Sequence, residues 1–224
     1  MKKAIVLASG GLDSCVTTAC AVNKGYDVSL LHINYGQRTQ EREYTAFENI
    51  AKHYNIINKM TVSIDYLIKI GGSSLTDKNM AVEENVCPDN NRSTVPSSYV
   101  PFRNANMISI AVSWAEVIGA EKIFVGAVEE DSSGYPDCRE IFFNKFNDLL
   151  KVALSNNNNI EIETPVIHLS KAEIITLGVK LNAPLHLTWS CYQSEDMACG
   201  LCESCILRLK GFEKAGVKDP IPYR

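Results

Sequence analysis

Short apolar runs and longer amphipathic stretches alternate along most of the chain. Five runs rich in Val and Ile have the length and composition of β-strands: residues 4–9, 27–35, 57–65, 122–128 and 160–167. Stretches with apolar residues at helical spacing lie between and after them, over residues 13–24, 39–54, 104–119, 138–155 and 170–181. Strands that alternate with helices are typical of a covered parallel sheet. The pattern predicts an α/β fold: a parallel sheet of about five strands with helices on both faces.

Three segments carry further information. Residues 104–119 are apolar nearly all round, which predicts a buried helix. Ser170 and Glu173 have the spacing of a capping box, which predicts a helix start at this point. Residues 66–103 break the alternation with a Gly-Gly pair, three prolines and many polar residues. Loops of this length within a domain are often functional, so we expect an insertion here.

Composition narrows the class of protein. The 224 residues are 46% hydrophobic and 21% charged, as is ordinary for a globular protein, and the net charge of −4 disfavours a nucleic-acid partner. No apolar run reaches the roughly 18 residues that a membrane span needs. The first apolar stretch is short and runs into Gly10 and Gly11 rather than into a cleavage site. We expect a cytoplasmic protein without a membrane partner.

A glycine-rich turn follows the first predicted strand. In "LASGGLDSC" (7–15), two glycines and two serines lead directly into a helix, where free backbone N–H groups and the helix dipole stabilise an anion. The turn lacks the lysine of the ATPase P-loop and the third glycine of the dinucleotide fingerprint. We interpret it as a phosphate cradle, whereas a tight turn capped by Asp13 is the simpler alternative.

Four of the eight cysteines fall close together near the C-terminus. Cys191, Cys199, Cys202 and Cys205 have the spacing C-x7-C-x2-C-x2-C, which suits a closed tetrahedral zinc site of four thiolates. Such a site has no open position, so we expect structural zinc. An iron–sulfur cluster stays open as an alternative. A zinc knuckle for nucleic acid is disfavoured, because acidic residues surround the cysteines: Glu195, Asp196 and Glu203.

These observations predict the domain organisation. Residues 1–185 form a nucleotide-binding α/β domain with a long insertion at 66–103, and residues 186–224 form a zinc-binding C-terminal segment.

The motifs together carry a resemblance to a known family. S-G-G-x-D-S is the pyrophosphate loop of the N-type ATP pyrophosphatases, which cleave ATP between its α- and β-phosphates. With "INYGQR", "VPFRNANMISIA", "GAVEEDSSGYPDCRE", "SKAEII" and "TWSCY", it resembles the 7-cyano-7-deazaguanine synthases of queuosine biosynthesis nearly from end to end. One departure is Phe102, where that family often has glycine.

The resemblance implies a fold and a reaction. The fold is that of the adenine nucleotide alpha hydrolases, which is Rossmann-like. The substrates are 7-carboxy-7-deazaguanine, ATP with Mg²⁺, and ammonia, and the product is the nitrile preQ0. The family also suggests a homodimer.

The resemblance further implies roles for individual residues. The residues expected to bind ATP are Ala8, Ser9, Gly10, Gly11, Leu12, Asp13, Ser14 and Cys15. The expected catalytic residues are Asp13, Ser14 and Arg103. The residues expected to bind the substrate are Arg103, Asn104, Asp131, Tyr135, Asp137 and Arg139. A surface ion pair stays open for Arg103, and a solvated lysine at a helix start is favoured for Lys171.

Two other functions fit parts of the sequence. Another enzyme of the same superfamily, such as a tRNA thiolase or an ammonia-dependent ligase, would share the loop. A zinc-stapled module that senses nucleotides without turnover would share the loop and the cysteines. Conversion of ATP to AMP that depends on the carboxylate substrate distinguishes these functions.

Overall fold

The computed structural model describes residues 1–85, 95–129, 134–155 and 159–224. Five parallel strands form one sheet in the order β3-β2-β1-β4-β5. They are β1 (Lys3–Leu7), β2 (Asp27–Asn34), β3 (Lys59–Ser63), β4 (Lys122–Val125) and β5 (Glu161–Glu163). The five predicted strands are confirmed, although β5 is three residues long and the chain turns away from the sheet before residue 167.

Seven α-helices are described. They are α1 (Leu12–Asn23), α2 (Gln40–His53), α3 (Tyr66–Ile70), α4 (Arg103–Ile118), α5 (Glu140–Ala153), α6 (Lys171–Lys180) and α7 (Glu203–Lys214). Ser170 and Glu173 form the predicted capping box at the start of α6. Two helices are not among those that the sequence pattern predicts: α3, which lies within the insertion, and α7, which begins inside the cysteine cluster. No helix among the described residues is long and apolar enough to cross a membrane.

Alternate residues of the central strands face opposite sides of the sheet. Ile5 and Ile123 pack with α4 and α5 on one side. Val6 and Phe124 pack with Phe47 of α2 on the other. A further apolar cluster joins α1 to α6 and α7. The prediction of helices on both faces is therefore confirmed.

Helix α4 is buried along one face, so the prediction of a buried helix is confirmed for that face and wrong for the opposite one. Its fully buried residues are Ala105, Ile108, Ala111 and Ala115, which repeat every three or four positions and lie against the sheet. The opposite face is open, and Val117 there is 83% exposed. The many apolar residues of α4 exceed what one layer of sheet can cover.

The C-terminal segment packs directly on the body of the fold. Trp189 N donates to Gly10 O at 2.9 Å, and α7 packs against α6. Arg208 of α7 is 1% exposed and its Nε lies 2.8 Å from Asp219 Oδ2. These contacts join residues 186–224 to the turn after β1, and the division at residue 185 stays a prediction.

Candidate active site

The glycine-rich turn connects β1 to α1 at the carboxyl edge of the sheet. Gly10 has φ +87°, and a Cβ there would collide with the carbonyl oxygen of Glu43. Gly11 is the N-cap of α1, and Ser9 Oγ accepts from its N–H at 3.1 Å. Ser14 Oγ donates to Gly11 O at 3.0 Å. The first N–H groups of α1 have no acceptor within the helix, so the turn has the geometry of an anion cradle.

The neighbouring strand comes unusually close to this cradle. Gly126 directly follows β4, and a Cβ at this position would lie 2.9 Å from Ser14 N. The absence of a side chain lets the ends of β1 and β4 meet around the start of α1. Ligands of open α/β sheets bind at this edge of the sheet.

Asp13 and Lys171 form an ion pair beside the turn. Lys171 Nζ lies 2.7 Å from Asp13 Oδ1 and 2.8 Å from Oδ2. The lysine side chain is 14% exposed, so the favoured interpretation of Lys171 as a solvated lysine is wrong. The start of α6 places a cation against the phosphate cradle.

A cavity of about 300 Å³ opens from the turn. Part of its wall is apolar and is formed by Leu7, Leu31, Ile33 and Val125 from the ends of the central strands. A further part, which we call the polar end, is lined by Tyr35, Glu43, Arg103, Tyr135, Tyr192 and Glu203. The anion cradle, an apolar wall and a group of aromatic and charged side chains therefore share one cavity.

Arg103 lies at the polar end of this cavity. Its Nη1 donates to Tyr35 OH at 2.9 Å, and its guanidinium carbon lies 4.9 Å from the centre of the same ring. Within the described part of the chain, no carboxylate lies within ion-pair distance of Arg103. The geometry favours an anion-binding arginine over a surface ion pair.

Two of the residues expected to bind the substrate, Asn104 and Asp137, are joined by hydrogen bonds. Asp137 Oδ2 accepts from Asn104 N, and Asp137 O accepts from Asn104 Nδ2, both at 2.9 Å. Burial raises the pKa of Asp137, although the bond from Asn104 N and the charge of Arg103 lower it. Asn104 lines the cavity, whereas Asp137 caps the start of α4 and lies outside the cavity wall.

Two further residues expected to bind the substrate, Tyr135 and Arg139, lie in different places. Tyr135 is buried and lines the cavity. Arg139 is exposed, and its Nε donates to Pro136 O at 3.2 Å beside a shallow depression on the outer surface. Asp131 lies outside the described residues.

The remaining loop residues are placed as follows. Ala8, Ser9, Gly11, Leu12, Asp13 and Ser14 line the cavity. Gly10 turns the chain behind the cradle. Cys15 points into the core, where burial raises the pKa of its thiol to about 12.

Sequence reasoning missed two carboxylates that line the cavity. Glu43, on the first turn of α2, accepts from Thr39 Oγ1 at 2.9 Å and from Gln37 Nε2 at 3.2 Å. Burial raises its pKa to about 7, against the lowering effect of those two bonds. Glu203 is buried at the start of α7 and accepts from Ser98 Oγ at 3.3 Å. Tyr135 OH donates to the same Ser98 Oγ at 2.7 Å, so this carboxylate is linked to the aromatic end.

The four clustered cysteines form a compact thiol site beyond this end. Their Sγ atoms all lie within 4.8 Å of one another. Backbone N–H groups of Gln193 and Cys199 donate to Cys191 Sγ at 3.4 Å, and those of Leu201 and Cys202 donate to Cys199 Sγ at 3.4 Å. Such donors stabilise thiolates, so the cluster fits a four-coordinate metal ion.

Comparison with known proteins gives the family. The family model for "Queuosine biosynthesis protein QueC" matches residues 3–216. The chain belongs to the QueC family. It is 54% identical over 221 residues to the 7-cyano-7-deazaguanine synthase of Chlorobium phaeobacteroides, covering 99% of this chain and 96% of the relative. It is 55% identical over 222 residues to that of Chloroherpeton thalassium, covering 99% and 97%.

A solved structure supports the fold of this QueC family member. A 4-thiouridine synthetase–RNA complex with bound ATP matches with a TM-score of 0.50 and 15% identity, covering 81% of this chain and 41% of that one. The likeness shows the adenine nucleotide alpha hydrolase fold. The predicted fold class and the predicted resemblance to the 7-cyano-7-deazaguanine synthases are thus both confirmed.

Proposed function

We propose that this chain converts 7-carboxy-7-deazaguanine and ammonia into 7-cyano-7-deazaguanine (preQ0) in queuosine biosynthesis, at the expense of ATP. Identity above 50% over 99% of the chain to curated synthases supports the reaction. The observation that carries it within the structure is the single cavity that joins a pyrophosphate-type loop to a polar end. The two reactants would meet there, with the α-phosphate of ATP facing the substrate carboxylate.

The reaction is two rounds of the same activation. A carboxylate oxygen attacks the α-phosphorus of ATP and pyrophosphate leaves, which gives an acyl adenylate. Ammonia then displaces AMP to give the amide. The amide oxygen attacks a second ATP, and loss of AMP and of the protons on nitrogen leaves the nitrile. Ser9, Gly11 and Ser14 would hold the departing pyrophosphate, whose charge the N-terminus of α1 stabilises.

The polar end of the cavity suits the deazaguanine. Arg103 would grip the substrate carboxylate with its planar fork, and Tyr135 offers a ring for stacking. A guanine-like base also presents N–H donors, which a carboxylate accepts. Because Asp137 is occupied by Asn104, we assign that acceptor to Glu203, which lines the cavity.

The metals have distinct places. Cys191, Cys199, Cys202 and Cys205 would hold zinc. In such a closed site the ion would fix the C-terminal segment and would take no part in the chemistry. Mg²⁺ would arrive with ATP and offset the charge of its phosphates. Asp13 is the carboxylate beside the cradle that would orient it. One zinc per chain is expected by metal analysis, and an iron chromophore would contradict this assignment.

We further propose that the protein works on small molecules in the cytoplasm and needs no nucleic-acid partner. We also propose a homodimer, which exposed apolar side chains on the outer helices support. Val117 on α4 is 83% exposed, and Leu149 and Val152 on α5 are 51% and 82% exposed. Light scattering should give a dimer for the native chain and a monomer for Val117→Lys, and a native monomer would refute the dimer.

The activity is tested with purified protein, ATP, Mg²⁺, ammonium and 7-carboxy-7-deazaguanine. Mass spectrometry should detect preQ0, with two AMP formed per nitrile and none formed without the carboxylate. ADP as the sole nucleotide product, or AMP formation indifferent to the carboxylate, would refute the proposal.

A further inference from the structure

The reaction proposed above releases protons from nitrogen, and the cavity must offer a base for them. When ammonia adds to the acyl adenylate, its nitrogen becomes positively charged and must lose a proton before AMP departs. In the second half, the nitrogen of the adenylated amide must lose both of its protons. An unassisted transfer to water is slow when the donor is a weak acid.

Three carboxylates line the cavity within the described residues: Asp13, Glu43 and Glu203. Both carboxylate oxygens of Asp13 accept from Lys171 Nζ. Glu203 lies between Cys202 and Cys205 and is linked through Ser98 to Tyr135. The hydrogen bonds that Glu43 accepts come from two neutral groups, the Thr39 hydroxyl and the Gln37 amide. Among the described residues, Glu43 is therefore the carboxylate of the three that forms no ion pair with a cation and has no cysteine of the thiol cluster beside it in the sequence.

The position of Glu43 also fits the reacting atoms. Its backbone carbonyl packs against Gly10 of the pyrophosphate loop, while its carboxylate interacts electrostatically with Arg103 at the other end. In the proposed reaction, the bond between the α-phosphate and the substrate carboxylate forms between the loop at Gly10 and Arg103. Glu43 interacts with both of these places, through its backbone carbonyl and its carboxylate.

The surroundings keep the carboxylate oriented. Gln37 Oε1 accepts from Tyr35 N at 2.9 Å, which fixes the amide so that its Nε2 faces Glu43. Thr39 Oγ1 also lies 3.1 Å from the carbonyl oxygen of Cys191. Gln37 Nε2 is thus a fixed donor to one carboxylate oxygen of Glu43, whereas the other oxygen shares the single hydroxyl proton of Thr39 with Cys191 O. Both oxygens keep a lone pair for a substrate proton.

We propose that Glu43 is the general base of both halves of the reaction. In the first half, ammonia forms the C–N bond, one nitrogen proton passes to a Glu43 oxygen, and the C–O bond to AMP breaks with its electron pair leaving on AMP. Glu43 then returns the proton to water. In the second half, Glu43 takes one proton from the nitrogen of the adenylated amide. Loss of the other proton to water and departure of AMP complete the C≡N bond.

The proposal rests on the proposed function, and the test separates the two. Adenylation is measured first as carboxylate-dependent exchange of labelled pyrophosphate into ATP, which needs no base on nitrogen. Glu43→Gln should keep this exchange within about threefold of the native rate, whereas its amide formation with ammonium should fall by about 100-fold or more. If the native protein shows no exchange, the proposed function fails before Glu43 is tested.

A second nucleophile distinguishes a base from a structural residue. Hydroxylammonium is a far stronger acid than ammonium, so the adduct of hydroxylamine loses its proton to water unaided. Glu43→Gln should therefore form the hydroxamate at nearly the native rate. Glu43→Ala should regain part of its amide formation when formate is added. Glu41→Gln, an exposed glutamate on the same helix, is the matched control and should behave as the native protein.

The pH profile gives an independent readout. The charges that act on Glu43 include those of Arg103 on α4 and Glu195 in the C-terminal segment, and Glu43 acts in turn on Tyr35 after β2. Tyr192 and Glu203 are the other titratable groups that line this part of the cavity wall with them. At a fixed concentration of free ammonia, native amide formation should fall below about pH 7 as Glu43 is protonated. That acidic limb should be absent in Glu43→Gln.

Two results would overturn the assignment. Native rates of amide formation in Glu43→Gln would show that no base is needed at this position. Loss of pyrophosphate exchange and hydroxamate formation together with amide formation, in both Glu43→Gln and Glu43→Asp, would show that Glu43 serves substrate binding or folding instead.

Discussion

Lys171 Nζ lies within 2.8 Å of both carboxylate oxygens of Asp13, beside the N-terminus of α1. The pair is largely shielded, with side chains 14% and 28% exposed. Without the lysine, the carboxylate would repel incoming phosphates. Lys171 therefore neutralises the entrance to the phosphate cradle.

Removing this cation should weaken ATP binding. We expect Lys171→Met to lower the affinity for a non-hydrolysable ATP analogue about tenfold, which is the effect of about 1.4 kcal/mol. Adding Asp13→Asn should restore binding without restoring turnover, because the repelling charge is gone and so is the carboxylate that we propose to orient Mg²⁺. Calorimetric titration measures this, with Lys180→Met at the exposed end of α6 as the control. Equal affinity in Lys171→Met and the native chain would contradict the interpretation.

Gly10 and Gly25 both have a backbone conformation that favours glycine, but only Gly10 also lacks space for a side chain. Both have positive φ, +87° and +79°, but a Cβ at Gly25 would meet no atom within 4 Å, whereas one at Gly10 would collide with Glu43 O. Gly25→Ala should cost about 1 kcal/mol of unfolding free energy from strain alone. Gly10→Ala should cost at least about 2 kcal/mol more. Urea denaturation measures both, and equal losses would mean that the contact with α2 is unimportant.

Local sequence signals predicted the loop and the thiol cluster. The turn from Ser9 to Ser14 follows a strand and precedes a helix, so its place at the sheet edge follows from chain order. The four cysteines lie within fifteen positions, so little tertiary information is needed to bring them together. The burial of α4 could not be predicted in the same way, because hydrophobicity does not say how many layers cover a helix.

The sequence does not show which carboxylates line the cavity. Glu41 and Glu43 lie two residues apart on α2, and the sequence does not distinguish the exposed one from the one that lines the cavity. The family resemblance implies that Asp137 binds the substrate. Its partner, the N–H of Asn104, becomes apparent only when the loop packs on the start of α4.

The buried pair of Arg208 and Asp219 should hold the C-terminal segment. Two of the arginine nitrogens, Nε and Nη2, contact the two Asp219 oxygens at 2.8 and 3.0 Å. Asp219→Ala leaves a buried guanidinium without its counter-charge and should cost about 3–5 kcal/mol of unfolding free energy. Asp196→Ala, an exposed aspartate of the same segment, is the control. Chemical denaturation checks this, and a loss below about 1 kcal/mol would contradict the anchoring role.

Glu43 should make stability depend on pH. Its folded-state pKa of about 7 lies above the ordinary value of 4.5, so the folded state binds a proton more tightly than the unfolded chain and loses stability as pH rises through this window. Glu43→Gln has no such loss. Relative to the native chain, the variant should gain up to about 3 kcal/mol between pH 4 and pH 8. A stability difference that stays constant over this range would contradict the raised pKa.

In the proposed reaction, substrate oxygens attack the α-phosphorus of ATP at the loop around Gly11. Use of 7-carboxy-7-deazaguanine labelled with ¹⁸O in both carboxylate oxygens follows this attack. Each of the two AMP molecules formed per nitrile should carry one ¹⁸O atom, and pyrophosphate should carry none. Label in orthophosphate or pyrophosphate, or unlabelled AMP beside labelled water, would contradict this mechanism.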